Sequence, residues 1–418
     1  MALPRSLAPL RHRRYAALWT GAFFSNIGTW METVAVGILV QEITGQAVWV
    51  AVVAAAGFVP NAIIGPLGGA LADRVPRRRL LLGTTAVQTV LAGVLTALVA
   101  LDAFEPWAVT LIVLISGCAG ALGFPSYQSM MPDIVPREEI TAAAALGAAQ
   151  WNLGRVVGPA LAGLVIEAGG YEWAFAINTL SFLAVIAAIA PLRLPLPTPK
   201  AGESILQSIK EGARFAIREP GIRAVMIYVS LNSLLAAPFI GLVASMADEV
   251  TGHARDASVL VTTQGIGAVL MALMLGGLAA RFGNRQVLVT AVTALPFSLV
   301  LYAFAPSLAL SAIAIFVVGY LYLGCLSSFT SIAQLRAPSE FRGRVMSALM
   351  VLLGTMYPLG LLIQGLLADA IGLRATTAGA AVLLVVAVAV MRALRPGFDR
   401  ELGDIAPRAD TTPIASTE

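Results

Sequence analysis

The stretch "GALADRVPRRR", Gly69 to Arg79, carries an apolar run into one Asp and four arginines within seven residues. "GGLAARFGNR", Gly276 to Arg285, repeats its outline 207 residues later, with Gly, Leu, Ala and two Arg in register and Ala280 where the Asp stood. An apolar segment that stops at several arginines has the form of a membrane helix ending at a headgroup surface. Its recurrence marks a chain built from two related halves. The missing carboxylate makes the two junctions unequal.

The 418 residues are 58% hydrophobic and only 12% charged, with a mean hydropathy of +0.84. Soluble domains carry about a quarter charged residues, so a water-soluble fold is excluded. Apolar stretches of about 20 residues, enough to cross roughly 30 Å of hydrocarbon, recur along the chain. A membrane β-barrel would show short alternating segments instead. The expected fold is therefore all-α and integral to the membrane. Its spans fall at about 16–40, 47–72, 80–101, 107–131, 142–167, 172–191, 223–247, 257–280, 286–304, 308–335, 345–371 and 375–392, twelve in all. Cys118 and Cys325 lie inside apolar runs and read as packing residues rather than a disulfide. The basic start runs into more than twenty apolar residues without an A-x-A site, so it reads as a retained first span.

Of the 27 Lys and Arg, 24 fall in the two termini and the loops that share their side. Only Arg255 and Arg374 fall in the opposite loops, and Arg155 lies within span five. Cytoplasmic loops retain Lys and Arg, so both termini are expected in the cytoplasm and the protein is expected to pass many times through the cell inner membrane. The net charge of +4 and pI near 9.3 then record topology and contact with anionic membrane lipid, not nucleic acid. The domain organisation follows: 1–15 a cytoplasmic N-terminus, 16–191 a first six-helix bundle, 192–222 a cytoplasmic linker, 223–392 a second six-helix bundle, and 393–418 a polar tail expected to be disordered. The linker opens proline-rich and continues as a short amphipathic helix from Ser204 to Arg218.

Spans five and eleven repeat at an offset of 202. "GPALAGLVIEAGG" from Gly158 meets "GLLIQGLLADAIG" from Gly360, pairing Gly158 with Gly360, Gly163 with Gly365, Glu167 with Asp369 and Gly170 with Gly372. Two parallel six-span halves are the arrangement of transporters that rock about a midplane site.

These features resemble the major facilitator superfamily. Its loop between spans two and three reads roughly G-x-L-x-D-R-x-G-R-[RK], and Gly69, Leu71, Asp73, Arg74, Arg77 and Arg78 match, with Pro76 replacing the usual glycine. "GRVVGPALAG" is similar to the span-five motif of the antiporters, through Gly154, Gly158, Pro159 and Gly163, with one residue added before the last Gly. "LRHRRYAALWTGAFFSNIGTWMETVA" from Leu10 and "EFRGRVMSA" from Glu340 resemble the branch of bacterial macrolide-efflux and enterobactin-export proteins. The resemblance implies two pseudo-symmetric six-helix bundles and a latch in which Asp73 faces the start of span eleven, where Arg342 and Arg344 add partners. The intramembrane Arg that drug antiporters often carry in span four is absent, so their coupling scheme does not transfer.

Ionisable groups in hydrocarbon are functional candidates by default. Glu32 in span one and Arg155 in span five stand out, and the expectation is that they pair. Ser25, Asn26, Thr29, Glu32 and Thr33 share an arc of about 120° on span one. Further candidate cavity residues are Tyr127, Asn152, Asn178, Tyr228, Asn232, Gln264, Tyr320, Tyr357 and Gln364, with Trp30 and Trp151 as aromatic lining. His12 and His253 are extramembrane, which disfavours an imidazole relay and a membrane enzyme. No phosphate-binding G-x-x-x-x-G-K-[ST] occurs. No cofactor or metal is expected. The resemblance and the scarcity of cavity charge together imply a secondary active exporter of amphipathic drugs or secreted metabolites such as macrolides or siderophores, driven by protons. The alternative on the same fold is a nutrient symporter or facilitator.

Overall fold

The structure is a computed structural model that describes residues 5–72, 74–192 and 205–403. Asp73, the proline-rich start of the linker and most of the polar tail lie outside the described residues. Helices follow one another with short turns: α1 (Arg13–Thr44), α2 (Ala47–Ile63), α3 (Gly65–Ala72), α4 (Arg77–Ala100), α5 (Pro106–Met130), α6 (Ile140–Gly169) and α7 (Tyr171–Ile189) form the first half. The second half contains α8 (Ile205–Arg218), α9 (Pro220–Leu231), α10 (Val243–Thr251), α11 (Ala257–Ala303), α12 (Leu308–Arg336), α13 (Ser339–Ile371) and α14 (Leu373–Leu394).

Nine helical segments among the described residues are long and apolar enough to cross a membrane, and ten if α2 and α3, which meet at a 45° bend, form one span. The expected twelve requires two further steps. The 47-residue α11 is roughly 70 Å long at 1.5 Å per residue, and it breaks at Gly283, whose φ of 81° is open only to glycine without strain. Two crossings joined at that glycine are one step. The other is α6, which carries Arg155, as a crossing. Gly283 aligns with Pro76 in the repeated junction, so the same turn is made once by a left-handed glycine and once by a proline preceding α4.

Span seven is not one helix. After α9 comes a π-helical segment, Asn232–Ala236, then a 3-10 turn, Ala237–Ile240, before α10 resumes. The side-chain amide of Gln364 in α13 donates to the carbonyls of Leu234 (3.2 Å) and Leu235 (3.0 Å) and so stabilises this irregular backbone.

The repeated glycines show how the halves are assembled. A Cβ at Gly158 would stand 2.6 Å from Cβ of Trp30, and one at Gly360 would stand 2.9 Å from Pro238. Thus α6 lies against α1 as α13 lies against span seven. Likewise a Cβ at Gly163 would stand 2.9 Å from Ser258 Cβ, and one at Gly365 would stand 2.6 Å from Ala51 Cβ. These are the seams between halves, α6 on α11 and α13 on α2. Close approach at small residues is how helices associate where lipid offers no hydrophobic drive. Gly170 and Gly372, at φ 98° and 90°, make equivalent turns into α7 and α14.

The linker helix α8 attaches to the second half. Phe215 stacks on Phe341 at 4.7 Å, and Glu211 pairs with Arg344.

Gly158→Ala is expected to lower the melting temperature of the purified protein, since overpacking costs about 1–3 kcal/mol. Gly147→Ala, where a Cβ meets nothing within 4 Å, serves as the control and should leave it unchanged.

Candidate functional site

One face of α1 organises the centre of the molecule. Thr29, Thr33, Gly37 and Gln41 follow at four-residue spacing, so they form a slowly turning stripe. At Gln41 the stripe is closed against the second half: its amide donates to Asp248 at 3.0 Å and accepts from the Ser245 hydroxyl at 2.6 Å, both in α10. At Gly37 it still faces Ala244, 3.9 Å from where a Cβ would lie. At Thr33 and Thr29 it is exposed. The two halves therefore touch at one end of α1 and leave its polar middle, at Thr29 and Thr33, uncovered as an open cleft face.

Glu32 flanks this stripe on the side of α7. Its carboxylate accepts from Asn178 Nδ2 at 2.7 Å. Ser181 donates chiefly to the backbone carbonyl of Asn178 at 2.7 Å, with Asn178 Oδ1 3.1 Å from the same hydroxyl. Room for the pair comes from Gly28, where a Cβ would stand 2.5 Å from Asn178 Oδ1 and 2.7 Å from Ser181 Oγ. Span one's glycine is thus the notch that lets span six hold the acid.

Arg155 lies on the other flank. Its guanidinium donates to Gln264 Oε1 of α11 at 3.0 Å, across the seam between halves. It stands 5.8 Å from the ring centroid of Trp30, which meets Trp151 edge-on at 5.8 Å. Tyr322 and Tyr357 of the second half are within electrostatic reach of it. The expected Glu32–Arg155 pair is not formed. At 100° per residue Trp30 and Glu32 project about 200° apart from α1, so the acid turns to α7 while the guanidinium sits over the opposite flank.

The other expected residues divide. Tyr357 reaches the centre and packs edge-on against Phe58 of α2 at 4.9 Å. Asn26 packs its Cβ against Gly154, where a Cβ would stand 3.0 Å away, and Pro159 is buried in α6. Asn152 spends its amide on Ala148 O of its own helix (2.8 Å). Tyr127 donates to Gln150 (3.3 Å), Tyr320 to the Met274 sulfur (3.8 Å) and Tyr228 to Asp399 (2.6 Å). The last lies at the arginine-rich end, away from the cleft. Gln364 supports the broken span, and Asn232, 1% exposed, begins its π segment with both side-chain polar atoms unpartnered among the described residues.

At the junction, Gly69 faces open space. Arg74 begins the turn out of α3, donating its backbone N–H to Leu71 O. Arg77 donates to Ser129 O (3.1 Å) and pairs with Asp133 (2.7 Å), and Arg78 donates to Ile189 O and Ala190 O. These two arginines tie the start of α4 to the ends of α5 and α7 within one half. Arg342 is exposed near the start of α13, and Arg344 reaches the linker helix. The expected latch itself lies outside the described residues, because Asp73 does.

Sequence reasoning missed the closure at the arginine-poor end. Besides Gln41, Glu42 accepts from Tyr171 (2.6 Å) and pairs with Arg255 (3.0 Å). Asp369, at the end of α13, accepts from the backbone N–H groups of Ala47 (2.8 Å) and Val48 (3.1 Å). The N-cap of α2, Gln46, makes no side-chain cap bond. Asp369 therefore caps α2 from the other half. A cap is worth about 0.5–2 kcal/mol and an exposed ion pair about 0–1, so Asp369 and the buried Gln41 outweigh the exposed Arg255. The signal was available: Asp369 aligns with Glu167 in the repeat, and Gln41 continues the Thr29–Thr33 stripe.

The sequence from residue 5 to 411 matches the family described as transmembrane secretion effector. The multidrug efflux pump Tap of Mycolicibacterium fortuitum is 29% identical over 394 residues, covering 88% of this chain and 91% of that protein. Macrolide efflux protein A of Streptococcus pyogenes is 25% identical over 378 residues, covering 86% and 91%. Among solved structures, a bacterial homologue of the human lysosomal transporter Spinster, inward-facing and unoccupied, superposes with a TM-score of 0.73 at 14% identity, covering 96% of this chain and 99% of that one. At that identity the likeness concerns the fold alone, which is that of a major facilitator transporter.

Asp369→Ala is expected to loosen the closed end. Spin labels at Gln46→Cys and His253→Cys, both exposed on the two halves, in a background with Cys118 and Cys325 replaced, should show a larger long-distance population by electron–electron resonance. An unchanged distribution would make the cap incidental.

Proposed function

The chain belongs to the transmembrane secretion effector family, and from that premise we propose that it is a secondary exporter of amphipathic organic compounds that works by alternating access with protons as the driving ion. The observation that carries this reading is Glu32. It is a carboxylate in the middle of an apolar helix, beside a cleft between halves, with the neutral Asn178 amide as its hydrogen-bond partner. An intramembrane acid without a cation is costly as a mere packing element. It is suited to bind and release a proton as the cleft changes its access to water.

In this reading all twelve spans cross the cell inner membrane and the arginine-rich end, with both termini, faces the cytoplasm. The bundles 16–191 and 223–392 rock against each other about the α6–α11 and α13–α2 seams. The contacts of Gln41, Glu42 and Asp369 close the outer side, and Asp73 with Arg342 and Arg344 form the inner latch. Substrate is taken up from the cytoplasm and lipid into the cleft, whose walls offer Thr29, Thr33, Trp30 and Tyr357. The named efflux relatives support this direction of transport and a drug-like cargo.

Two experiments test the reading. Expression in an efflux-deficient host should raise resistance to, and lower accumulation of, a panel of macrolides and dyes; net uptake by energised cells would instead support a nutrient symporter. In proteoliposomes, Glu32→Gln should abolish pH-gradient-driven transport while leaving ligand binding within about threefold, less than one charged hydrogen bond is worth. Full gradient-driven transport by that variant would make Glu32 structural. Asp73→Asn should reduce transport while membrane insertion stays intact, because it removes charge from a seam and no apolar area.

A further inference from the structure

Opposite Glu32, the second flank of the cleft carries an excess of hydrogen-bond donors. Arg155 donates to Gln264 Oε1, Tyr322 and Tyr357 stand near it, and among the described residues it forms no ion pair with a carboxylate. Gln264 is 3% exposed, and with its oxygen taken by Arg155 its Nε2 has no partner among the described residues. The indole Nε1 of Trp30, on the ring beneath the guanidinium, is likewise buried without a partner. Buried polar groups are satisfied in more than nine cases of ten, roughly. Here two orphan donors lie on the two residues that contact one guanidinium.

Among the described residues the two neutral N–H groups lack an acceptor, and the guanidinium lacks a counter-charge. A guanidinium within hydrocarbon needs a counter-charge, and an amide oxygen supplies only a dipole. Glu32 does not serve, since it is held by Asn178 on the far flank. Apolar surface adjoins the donors, because Trp30 and Trp151 pack edge to face, Tyr357 packs on Phe58, and Trp151 is 47% exposed. The site also spans both halves, with Arg155 and Trp30 from the first and Gln264 from the second, so a ligand here touches both moving parts.

We propose that Arg155, Trp30 and Gln264 form the receptor for the acidic group of an amphipathic organic anion whose apolar body lies against the Trp30–Trp151 pair and Tyr357. The inference rests on the exporter reading and deepens it: this flank takes lipophilic monoanions, while a basic drug, which the guanidinium repels, binds elsewhere in the cleft. The anion and the proton use opposite flanks of α1, and an exporter driven by protons carries them in alternate half-cycles.

The test uses three probes with one body: 1-pyrenebutyrate, its methyl ester and pyrenebutyl-trimethylammonium, titrated by fluorescence into the full-length protein in nanodiscs. Wild type should bind the anion about 10- to 100-fold more tightly than the ester, as a charged hydrogen-bonded contact does. Gln264→Glu gives Arg155 an internal counter-anion at constant shape, and it should erase that preference to within threefold while leaving the ester's affinity in place. Trp30→Phe removes the donor and shrinks the ring, and should weaken the anion more than the ester. Comparing variants in identical nanodiscs cancels partition into lipid. Equal or tighter binding of the cation by wild type in competition with the anion, or an anion affinity that Gln264→Glu leaves unchanged, overturns the assignment. Because the readout is binding, an anion that binds as expected yet is never exported would sink the exporter reading and leave this site standing.

Discussion

Two helices, α6 and α13, have to lie flush against partners from both halves at once, and the rest of the architecture depends on that close approach. Each uses one glycine toward its own half and another, five residues on, toward the opposite half: Gly158 and Gly163, Gly360 and Gly365. Five residues turn a helix by about 140° net, which puts the two contacts on different sides. Between these seams little else can vary. The cleft beside Thr29 exists because α1 is clamped at Gly158 on one side and, through Gly28, against Asn178 and Ser181 on another. Larger side chains at these positions would separate the helices and leave both charged residues to lipid.

The polar contacts divide the cleft's flanks by function. Glu32 is supplied from its own half, by the Asn178 amide. Arg155 depends on the other half, through Gln264. A rocking motion can therefore leave the acid's surroundings in place while it dismantles those of the guanidinium. At the closed end the relationship is again between halves, since Asp369 completes the N-terminus of α2 and Gln41 is satisfied at both ends of its amide by α10. These closures consist of hydrogen bonds of modest individual worth, about 0.5–2 kcal/mol each, which suits a contact that must be made and broken repeatedly.

Much of this was legible in the amino-acid order because membrane helices write their requirements in long apolar runs and in the placement of arginine. The repeat at Gly158/Gly360 and Gly163/Gly365 predicted equivalent helices, and the equivalent contacts are there. The polar face of span one was expected to meet protein or water, and Asn26 and Glu32 on it meet α6 and α7. Partners were harder to read. Glu32 and Arg155 looked matched because they were the two charges in the spans, but pairing depends on which side of α1 each neighbour occupies. That is set by helix packing among three elements. Span seven looked continuous because its length and apolar content suffice for one helix, but Pro238 marks the break: it has no N–H for the Leu234 carbonyl, which Gln364 satisfies instead.

The different provenance of the two charges' partners has a consequence for how the protein is made. The first half leaves the ribosome well before Gln264 exists. At that stage Glu32 already has Asn178, 146 residues away in the same half, and can settle in the bilayer with its partner. Arg155 cannot, because its mate is 109 residues downstream, in the half still to come. The nascent bundle thus enters the membrane with one unmet guanidinium along its future seam, about two turns from Gly163, the glycine left open for α11. Completion of α11 answers both, so the residue that serves the finished transporter also gives the half-built one a reason to wait for its sibling rather than pair with a stranger.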